Sequence, residues 1–261
     1  MFAPSIPACL PPSSFSRHEP PWVSVGSMRS IPRRLGLLGG ITWHSSIDYE
    51  RALNEGVNEA LGGNASADLL VRSYNFEQIA DAQAAGDWEG LGATFAKDAR
   101  ALEAAGAEGI LICANTMHLV ADHVKAAVSI PLIHMLDATA DAIEAAGLDT
   151  VALLGTGYTM RKPFYRDHMA GRGITTLVPD EPDLTAIHDL IYDELARGII
   201  RDEGRDLALG VISRLLDRGA QGVIAGCTEI PLVVTEHDLD VPYFDTVKIH
   251  VAAALEFALG D

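Results

Sequence analysis

Short apolar runs of strand length alternate with amphipathic segments of helix length along most of the chain. The runs at 35–39, 109–112, 150–154 and 223–226 are almost continuously apolar, as expected of parallel strands that are buried on both faces. Regular alternation of such strands with helices is typical of α/β proteins, in which right-handed crossovers connect parallel strands. The pattern therefore predicts an α/β fold.

The same pattern predicts individual elements. Predicted strands cover 35–39, 68–73, 109–112, 132–135, 150–154, 175–178, 223–226 and 242–245. Predicted helices cover 45–61, 76–85, 88–105, 116–127, 137–146, 165–170, 183–197, 203–218 and 246–259.

An internal repeat divides this pattern into two halves. The sequence Gly106-Ala107-Glu108-Gly109 precedes a short apolar strand and Cys113, and Gly219-Ala220-Gln221-Gly222 precedes a similar strand and Cys227. The strands at 35–39 and 150–154 also resemble each other. We therefore predict two pseudo-symmetric three-layer α/β halves, each with a parallel four-stranded sheet, and an active site between them.

Domain boundaries follow from the repeat and from a change in composition. Residues 1–31 are rich in proline and serine and lack periodicity, which favours a disordered N-terminal extension. We expect Met28 as an alternative start, which would leave Cys9 without a chemical role. The first α/β domain is expected to comprise 32–133 plus 236–261, and the second 134–235.

Composition and charge narrow the function classes. The formal net charge of −17 argues against nucleic-acid and anionic-membrane surfaces, because both need clustered cations. No apolar run approaches the length of a membrane span. Three scattered cysteines are too few for a disulfide framework, so we expect a reducing, cytoplasmic location. No cysteine or histidine spacing indicates zinc, and we expect no metal.

Cys113 and Cys227 are the candidate catalytic residues. Each follows a predicted buried strand and precedes helix or turn, where backbone N–H groups favour an ionised thiol. A single cysteine in this position is more often a small core residue, but the chain has two. If the halves face each other, one thiol could remove a proton from a carbon while the other protonates its opposite face. Neutral donors that could hold a carboxylate nearby are Asn75, Asn115, Thr116, Thr156 and Thr228.

The motifs resemble those of the aspartate/glutamate racemase family, the pyridoxal-phosphate-independent amino-acid racemases. The resembling segments are Gly39-Gly40-Ile41-Thr42-Trp43, Cys113-Ala114-Asn115-Thr116-Met117-His118, Leu154-Gly155-Thr156 with Thr159-Met160, and Gly226-Cys227-Thr228-Glu229-Ile230. The resemblance implies cofactor-free racemisation of an amino acid, with Cys113 and Cys227 as the acid/base pair. It also implies that Asn115, Thr116 and Thr228 hold the substrate carboxylate and that Ile41 and Gln83 border the pocket. We further expect a homodimer.

Departures from the family pattern leave the substrate open. Some aspartate racemases place a lysine just before the glycine that corresponds to Gly198, where this chain has Ala196 and Arg197. Arg197, or alternatively Arg72, is then the candidate partner for a side-chain carboxylate, although either could be an ordinary surface charge. Two other hypotheses remain: a related reaction (maleate isomerisation, hydantoin racemisation or decarboxylation), or a non-catalytic small-molecule-binding protein.

Overall fold

The computed structural model describes residues 31–39 and 42–260, and it contains two parallel four-stranded sheets. The expectations for Cys9, Met28, Ile41 and the extension up to residue 30 lie outside the described residues. The strands of the first sheet are β1 (Leu35–Gly39), β2 (Leu69–Ser73), β3 (Gly109–Ile112) and β4 (Leu132–Ile133). Those of the second are β5 (Thr150–Gly155), β6 (Thr175–Leu177), β7 (Val223–Gly226) and β8 (Tyr243–Asp245).

The two sheets have the same topology. Their strand orders are β2-β1-β3-β4 and β6-β5-β7-β8, and all neighbouring strands are parallel. Strands β1 and β5 therefore correspond to each other, as do β3 and β7. This repeated topology confirms the predicted pair of pseudo-symmetric α/β halves.

Helices cover both sheets, and most begin and end within two residues of their predicted bounds. They are α1 (Trp43–Leu61), α2 (Phe76–Ala85), α3 (Trp88–Ala104), α4 (Ala121–Ala127), α5 (Met135–Ala145), α6 (Gly157–Arg161), α7 (Pro163–Gly171), α8 (Asp183–Asp189), α9 (Asp202–Asp217) and α10 (Thr246–Leu259). None of the described helices has the length and apolarity needed to cross a membrane.

One predicted helix is interrupted. The segment predicted as a single helix over 183–197 consists of α8, a π-helical turn at Leu190–Glu194 and a 3₁₀ turn at Leu195–Arg197. The segment ends at Gly198, whose positive φ of 73° stops the helix. π-helical turns widen a helix locally and often occur at functional sites. Here the turn carries two of the residues that line the cavity described below.

The core consists of three apolar clusters that follow the alternation of side chains along the strands. Ile110 and Ile112 of β3 pack in a cluster on the outer face of the first sheet, whereas Leu111 lies in a central cluster. The central cluster also contains Ile224 of β7 and therefore joins the two halves. Val223, which precedes Ile224 on β7, packs in the outer cluster of the second sheet.

The C-terminal boundary differs from the prediction. We expected 236–261 to belong to the first half, but β8 pairs with β7 in the second sheet. Only α10 returns to the first half, where it packs against α1 and against α5, the helix that connects the halves. The strand pairing therefore indicates that the chain returns to the first half at residue 246 and not at 236.

Candidate active site

A cavity lies between the halves, beyond the carboxyl ends of the strands. This is the position at which parallel α/β sheets bind ligands. The described residues that line it are Thr42, Ser45, Phe76, Gln83, Ala114, Asn115, Thr116, Ile191, Tyr192, Ala196, Gly226, Cys227, Thr228 and Glu229.

Cys227 places a thiol in the lining of this cavity. It follows the last residue of β7, lines the cavity and is 8% exposed. Its Sγ donates a hydrogen bond to Oε2 of Glu229 at 2.8 Å. Burial raises the pKa of the thiol well above its ordinary value, and the adjacent Glu229 carboxylate raises it further.

Glu229 is the acceptor at the centre of a hydrogen-bond network. Its Oε2 also accepts from the Thr228 hydroxyl at 2.6 Å, and its Oε1 accepts from the Thr42 hydroxyl at 2.8 Å. The Ser45 hydroxyl lies 2.8 Å from that of Thr42 and 2.9 Å from that of Thr228. Since Thr42 and Ser45 begin α1 of the first half, this network spans the two halves and holds the carboxylate beside the thiol.

Strand register identifies the counterpart of Cys227 in the first half. Ile112 pairs with Leu38 of β1, and Ala225 pairs with the corresponding leucine of β5. Two residues beyond these equivalent positions stand Ala114 and Cys227. Both line the cavity, so the pseudo-symmetric partner of the cavity thiol is a methyl group.

Cys113 is not among the described residues that line the cavity, so the predicted pair of facing thiols stays a prediction. Cys113 directly follows the last residue of β3, and its amide donates to the Leu38 carbonyl oxygen at 3.0 Å. It is fully buried in the central cluster, in the company of Leu111 and Tyr49. Burial raises the pKa of its thiol well above the ordinary value. Among the described residues that line the cavity, Cys227 is the one that carries a thiol.

Hydroxyl and amide groups from both halves complete the polar part of the site. The Thr116 hydroxyl lies 2.9 Å from both the Thr156 and the Thr159 hydroxyls. Thr116 lines the cavity. Thr156 is not among the described lining residues, but it contacts Thr116 and caps α6. Asn115 donates to the Thr246 hydroxyl at 2.9 Å, and its buried Oδ1 has no hydrogen-bond partner among the described residues. Thr228 and Asn115, two of the predicted carboxylate-binding residues, both line the cavity.

Gln83 also lines the cavity, and its polar atoms are already bonded within the protein. Its Oε1 accepts from the Tyr192 hydroxyl at 3.0 Å, and its Nε2 lies 3.4 Å from the Met117 sulfur. The Tyr192 ring is 6.0 Å from the Phe76 ring, measured between centroids. Tyr192 and Phe76, together with Ile191, form an apolar wall.

The other predicted site residues lie elsewhere. Asn75 is exposed and caps α2 by accepting from the Glu77 amide at 3.2 Å. Arg197 is exposed and pairs with Asp193 at 3.4 Å. Arg72, the alternative cation, pairs with Asp98 at 3.0 Å. None of the three lines the cavity, and Ile41 lies outside the described residues.

Sequence reasoning missed several residues of the site. Glu229 is two residues from Cys227, so its nearness could have been expected from the motif. Thr42 caps the first helix by accepting from the Ser45 amide at 3.4 Å, so a capping signal at the start of this helix could have pointed to it. Tyr192 and Ala196 reach the cavity only through the interrupted helix, for which the sequence carries no local signal.

A histidine cluster lies outside the cavity lining. His134, Asp137 and His168 are the one group of described residues whose potential metal-ligating atoms lie within 4.8 Å of one another. Asp137 already bonds to His168 at 2.8 Å. The neighbouring His118 ring is 4.7 Å from that of His134, between centroids, and His118 Nδ1 lies 2.9 Å from the Ala114 carbonyl oxygen. The cluster therefore abuts the backbone of the cavity without contributing a side chain to its lining.

Comparison with known proteins gives a consistent result. The model of the Asp/Glu/Hydantoin racemase family matches residues 38–254. The structure resembles that of a candidate Asp/Glu racemase from Yersinia pestis, with 45% sequence identity, a TM-score of 0.81, and coverage of 86% of this chain and 98% of the other.

Two further structures extend the comparison. An aspartate racemase homologue from Pyrococcus horikoshii is 33% identical, with a TM-score of 0.75 and coverage of 86% of this chain and 98% of the other. A Francisella tularensis glutamate racemase bound to D-glutamate is 19% identical, with a TM-score of 0.59 over 84% of this chain and 78% of the other. The latter likeness concerns the fold alone.

Proposed function

This chain belongs to the Asp/Glu/Hydantoin racemase family, and on that premise we propose that it racemises a small amino acid with Cys227 as its acid/base group. The observation that carries the proposal is the Cys227 thiol in the cavity between the halves, 2.8 Å from the Glu229 carboxylate. The reaction needs only protein groups and water. The homodimer and the cytoplasmic location stay predictions.

The first step generates the base. Glu229 accepts the thiol proton along the existing hydrogen bond, which leaves a thiolate on Cys227. The thiolate then removes the α-proton of the substrate, and the electron pair of the broken C–H bond is delocalised into the substrate carboxylate. An ammonium group of the substrate near the thiol would favour its ionisation, because a nearby positive charge lowers a thiol pKa.

The carboxylate would be held by the neutral donors of the cavity. Asn115, Thr116 and Thr228 line the cavity and offer amide and hydroxyl groups. The negative charge that develops on the carboxylate oxygens strengthens these hydrogen bonds during the reaction, which is how such donors lower a barrier.

Inversion requires a proton on the opposite face of the carbon. We assign this role to a water molecule on the Ala114 side, where a methyl group leaves more room than a thiol. The water protonates the carbanion and becomes hydroxide, which takes the proton from the Cys227 thiol and so restores water and thiolate. The sequence of steps is balanced and yields the other enantiomer.

The test is a set of α-hydrogen measurements. The protein is incubated in heavy water with single enantiomers of several amino acids, and exchange is followed by NMR while inversion is followed by chiral chromatography. We expect the wild type to exchange and invert at least one amino acid, and Cys227→Ser to do neither. A Cys227→Ser variant with wild-type rates contradicts the proposal.

The methyl group of Ala114 at the position equivalent to Cys227 favours a second candidate function, decarboxylation. With one cavity thiol, the site is suited to reactions that protonate one face only, such as decarboxylation of a substituted malonate, in which CO₂ leaves and Cys227 delivers a proton. Release of CO₂ from such diacids, without inversion of any amino acid, would select this function over racemisation.

A further inference from the structure

The apolar wall of the cavity lies within reach of the reacting groups. Phe76 comes from α2 of the first half, and Ile191, Tyr192 and Ala196 come from the interrupted helix of the second half. All four line the same cavity as Cys227. A ligand whose α-carbon meets the thiol therefore also meets this wall.

Hydrogen bonds within the protein keep the wall apolar. The Tyr192 hydroxyl is occupied by Gln83, and the Gln83 amide nitrogen is directed at the Met117 sulfur. These bonds also fix the orientation of the Tyr192 ring, which lies 6.0 Å from the Phe76 ring between centroids. The wall therefore offers ring and methyl surface, and a ligand has little to gain there from a second polar group.

The charge of the cavity points in the same direction. Glu229 is the acidic side chain that lines it, and none of the described lining residues is lysine, arginine or histidine. An amino acid with a carboxylate side chain would bring two anionic groups beside Glu229. Each would lose its hydration without a cationic partner, and like charges in a partly buried site repel strongly.

The two arginines that follow Ala196 in the sequence are engaged elsewhere. Arg197 follows Ala196 directly, but its side chain is exposed and pairs with Asp193. Arg201 donates to Glu194 at 2.9 Å. Both therefore contact acidic groups of the protein at its surface.

We propose that the cavity selects an amino acid with a neutral, apolar side chain, which packs on the wall formed by Phe76, Ile191, Tyr192 and Ala196. This proposal rests on the proposed racemase function and specifies its substrate class. The zwitterionic part of the substrate would then sit among Cys227, Glu229 and the neutral donors.

The experiment compares two substrate sets on the full-length wild-type protein. Leucine, methionine and phenylalanine form the apolar set, and aspartate and glutamate form the acidic set, each supplied as single enantiomers in heavy water. We expect kcat/KM for α-hydrogen exchange of the best apolar substrate to exceed that of either acidic one by about tenfold or more. Faster exchange of aspartate or glutamate overturns the substrate class and leaves the racemase function intact. Exchange of neither set overturns the racemase function and this proposal with it.

A charge introduced at the wall provides a second test. Ala196 is half-buried, so a long side chain at this position can reach the cavity while its stem stays partly in solvent. We expect Ala196→Lys to move the preference toward aspartate or glutamate by about tenfold relative to Ala196→Met, a neutral control of similar length. Melting temperatures of both variants establish that they are folded. If the folded Lys and Met variants show the same preference between acidic and apolar substrates, the substrate side chain does not contact this wall.

Discussion

Ala114 and Cys227 occupy equivalent positions two residues beyond paired strand residues in the two halves, and both line the same cavity. The two halves are thus related in backbone and different in chemistry. One contributes a thiol that is hydrogen-bonded to a carboxylate, and the other contributes a methyl group. This difference leads to the first two predictions.

Ala114→Cys should place a thiol on the face of the substrate opposite Cys227. A positioned acid or base contributes roughly 10²–10⁴-fold to a proton transfer, so we expect inversion to rise by at least about tenfold relative to single-face exchange. Ala114→Ser is the control, because its hydroxyl has a similar size and is far less acidic. Chiral chromatography measures inversion. If the Cys and Ser variants invert equally slowly, proton delivery on the Ala114 side does not limit the rate.

Cys113→Ala should leave activity within about twofold of wild type, because this thiol lies in the core. Removing its sulfur from a fully buried site should lower the free energy of unfolding by about 1 kcal/mol. The matched variant Cys227→Ala should lose activity by at least about 10²-fold. Urea denaturation and exchange kinetics give both quantities. Loss of α-hydrogen exchange in a folded Cys113→Ala variant would show that Cys113 takes part in the reaction.

Glu229→Gln should shift the ionisation of Cys227 to lower pH. The carboxylate raises the pKa of the thiol, so its removal lets the thiolate form at lower pH, while burial continues to raise the pKa. The rate of alkylation by iodoacetamide as a function of pH, in a Cys113→Ala background, measures this shift. Exchange should nevertheless slow by about 10²-fold, because the group that accepts the thiol proton is lost. An unchanged alkylation profile would mean that Glu229 carries no charge beside the thiol.

Stability should fall on acidification through the range of the buried imidazoles. Burial lowers the pKa of His250 to about 4, and burial likewise lowers the pKa of His118. A lowered folded pKa means that the unfolded chain binds more protons between pH about 6.5 and 4. The contribution of His250 is therefore complete above pH about 6.5 and is lost as the pH falls toward 4.

The measurement for this prediction is the melting temperature at pH 7 and pH 5. We expect His250→Gln to be less stable than wild type at pH 7, since His250 bonds to the Tyr49 hydroxyl and to the Ile133 carbonyl, both at 2.8 Å. The difference between the two pH values should be smaller in the variant. An equal pH dependence in both proteins would assign the acid sensitivity to other groups.

Most of the fold could be predicted because its signals are local. Apolar runs marked the strands, and helix α2 begins after Asn75, whose side chain caps it. Parallel pairing then followed from the alternation of strands and helices. The duplicated Gly-Ala-x-Gly segments predicted the two halves, which share one topology.

The predicted pair of facing thiols rests on matching one cysteine to the other across the repeat, and it stays a prediction. Counted from the last glycine of each repeated segment, Cys113 is four residues beyond Gly109 and Cys227 is five residues beyond Gly222. A difference of one residue places a side chain on the other face of a strand. Strand register aligns Ala114, and not Cys113, with Cys227.

The apolar wall was beyond local sequence signals for another reason. Ile191 and Tyr192 reach the cavity because the helix widens at Leu190–Glu194, and the Tyr192 hydroxyl meets Gln83 from the other half. Both features depend on contacts between residues that are far apart in the chain. Periodicity within a single segment therefore predicts a continuous helix and misses them.

The hydroxyl contacts of Thr116 with Thr156 and Thr159 have a consequence for how charge is accommodated during a reaction. Their oxygen positions are set by the backbone, but each hydroxyl proton can rotate, and either oxygen of a pair can be the donor. The group can therefore reverse its dipoles without moving a heavy atom. These three threonines can therefore respond to a carboxylate as it gains charge and again as it loses charge, and only their three hydroxyl protons need to rotate.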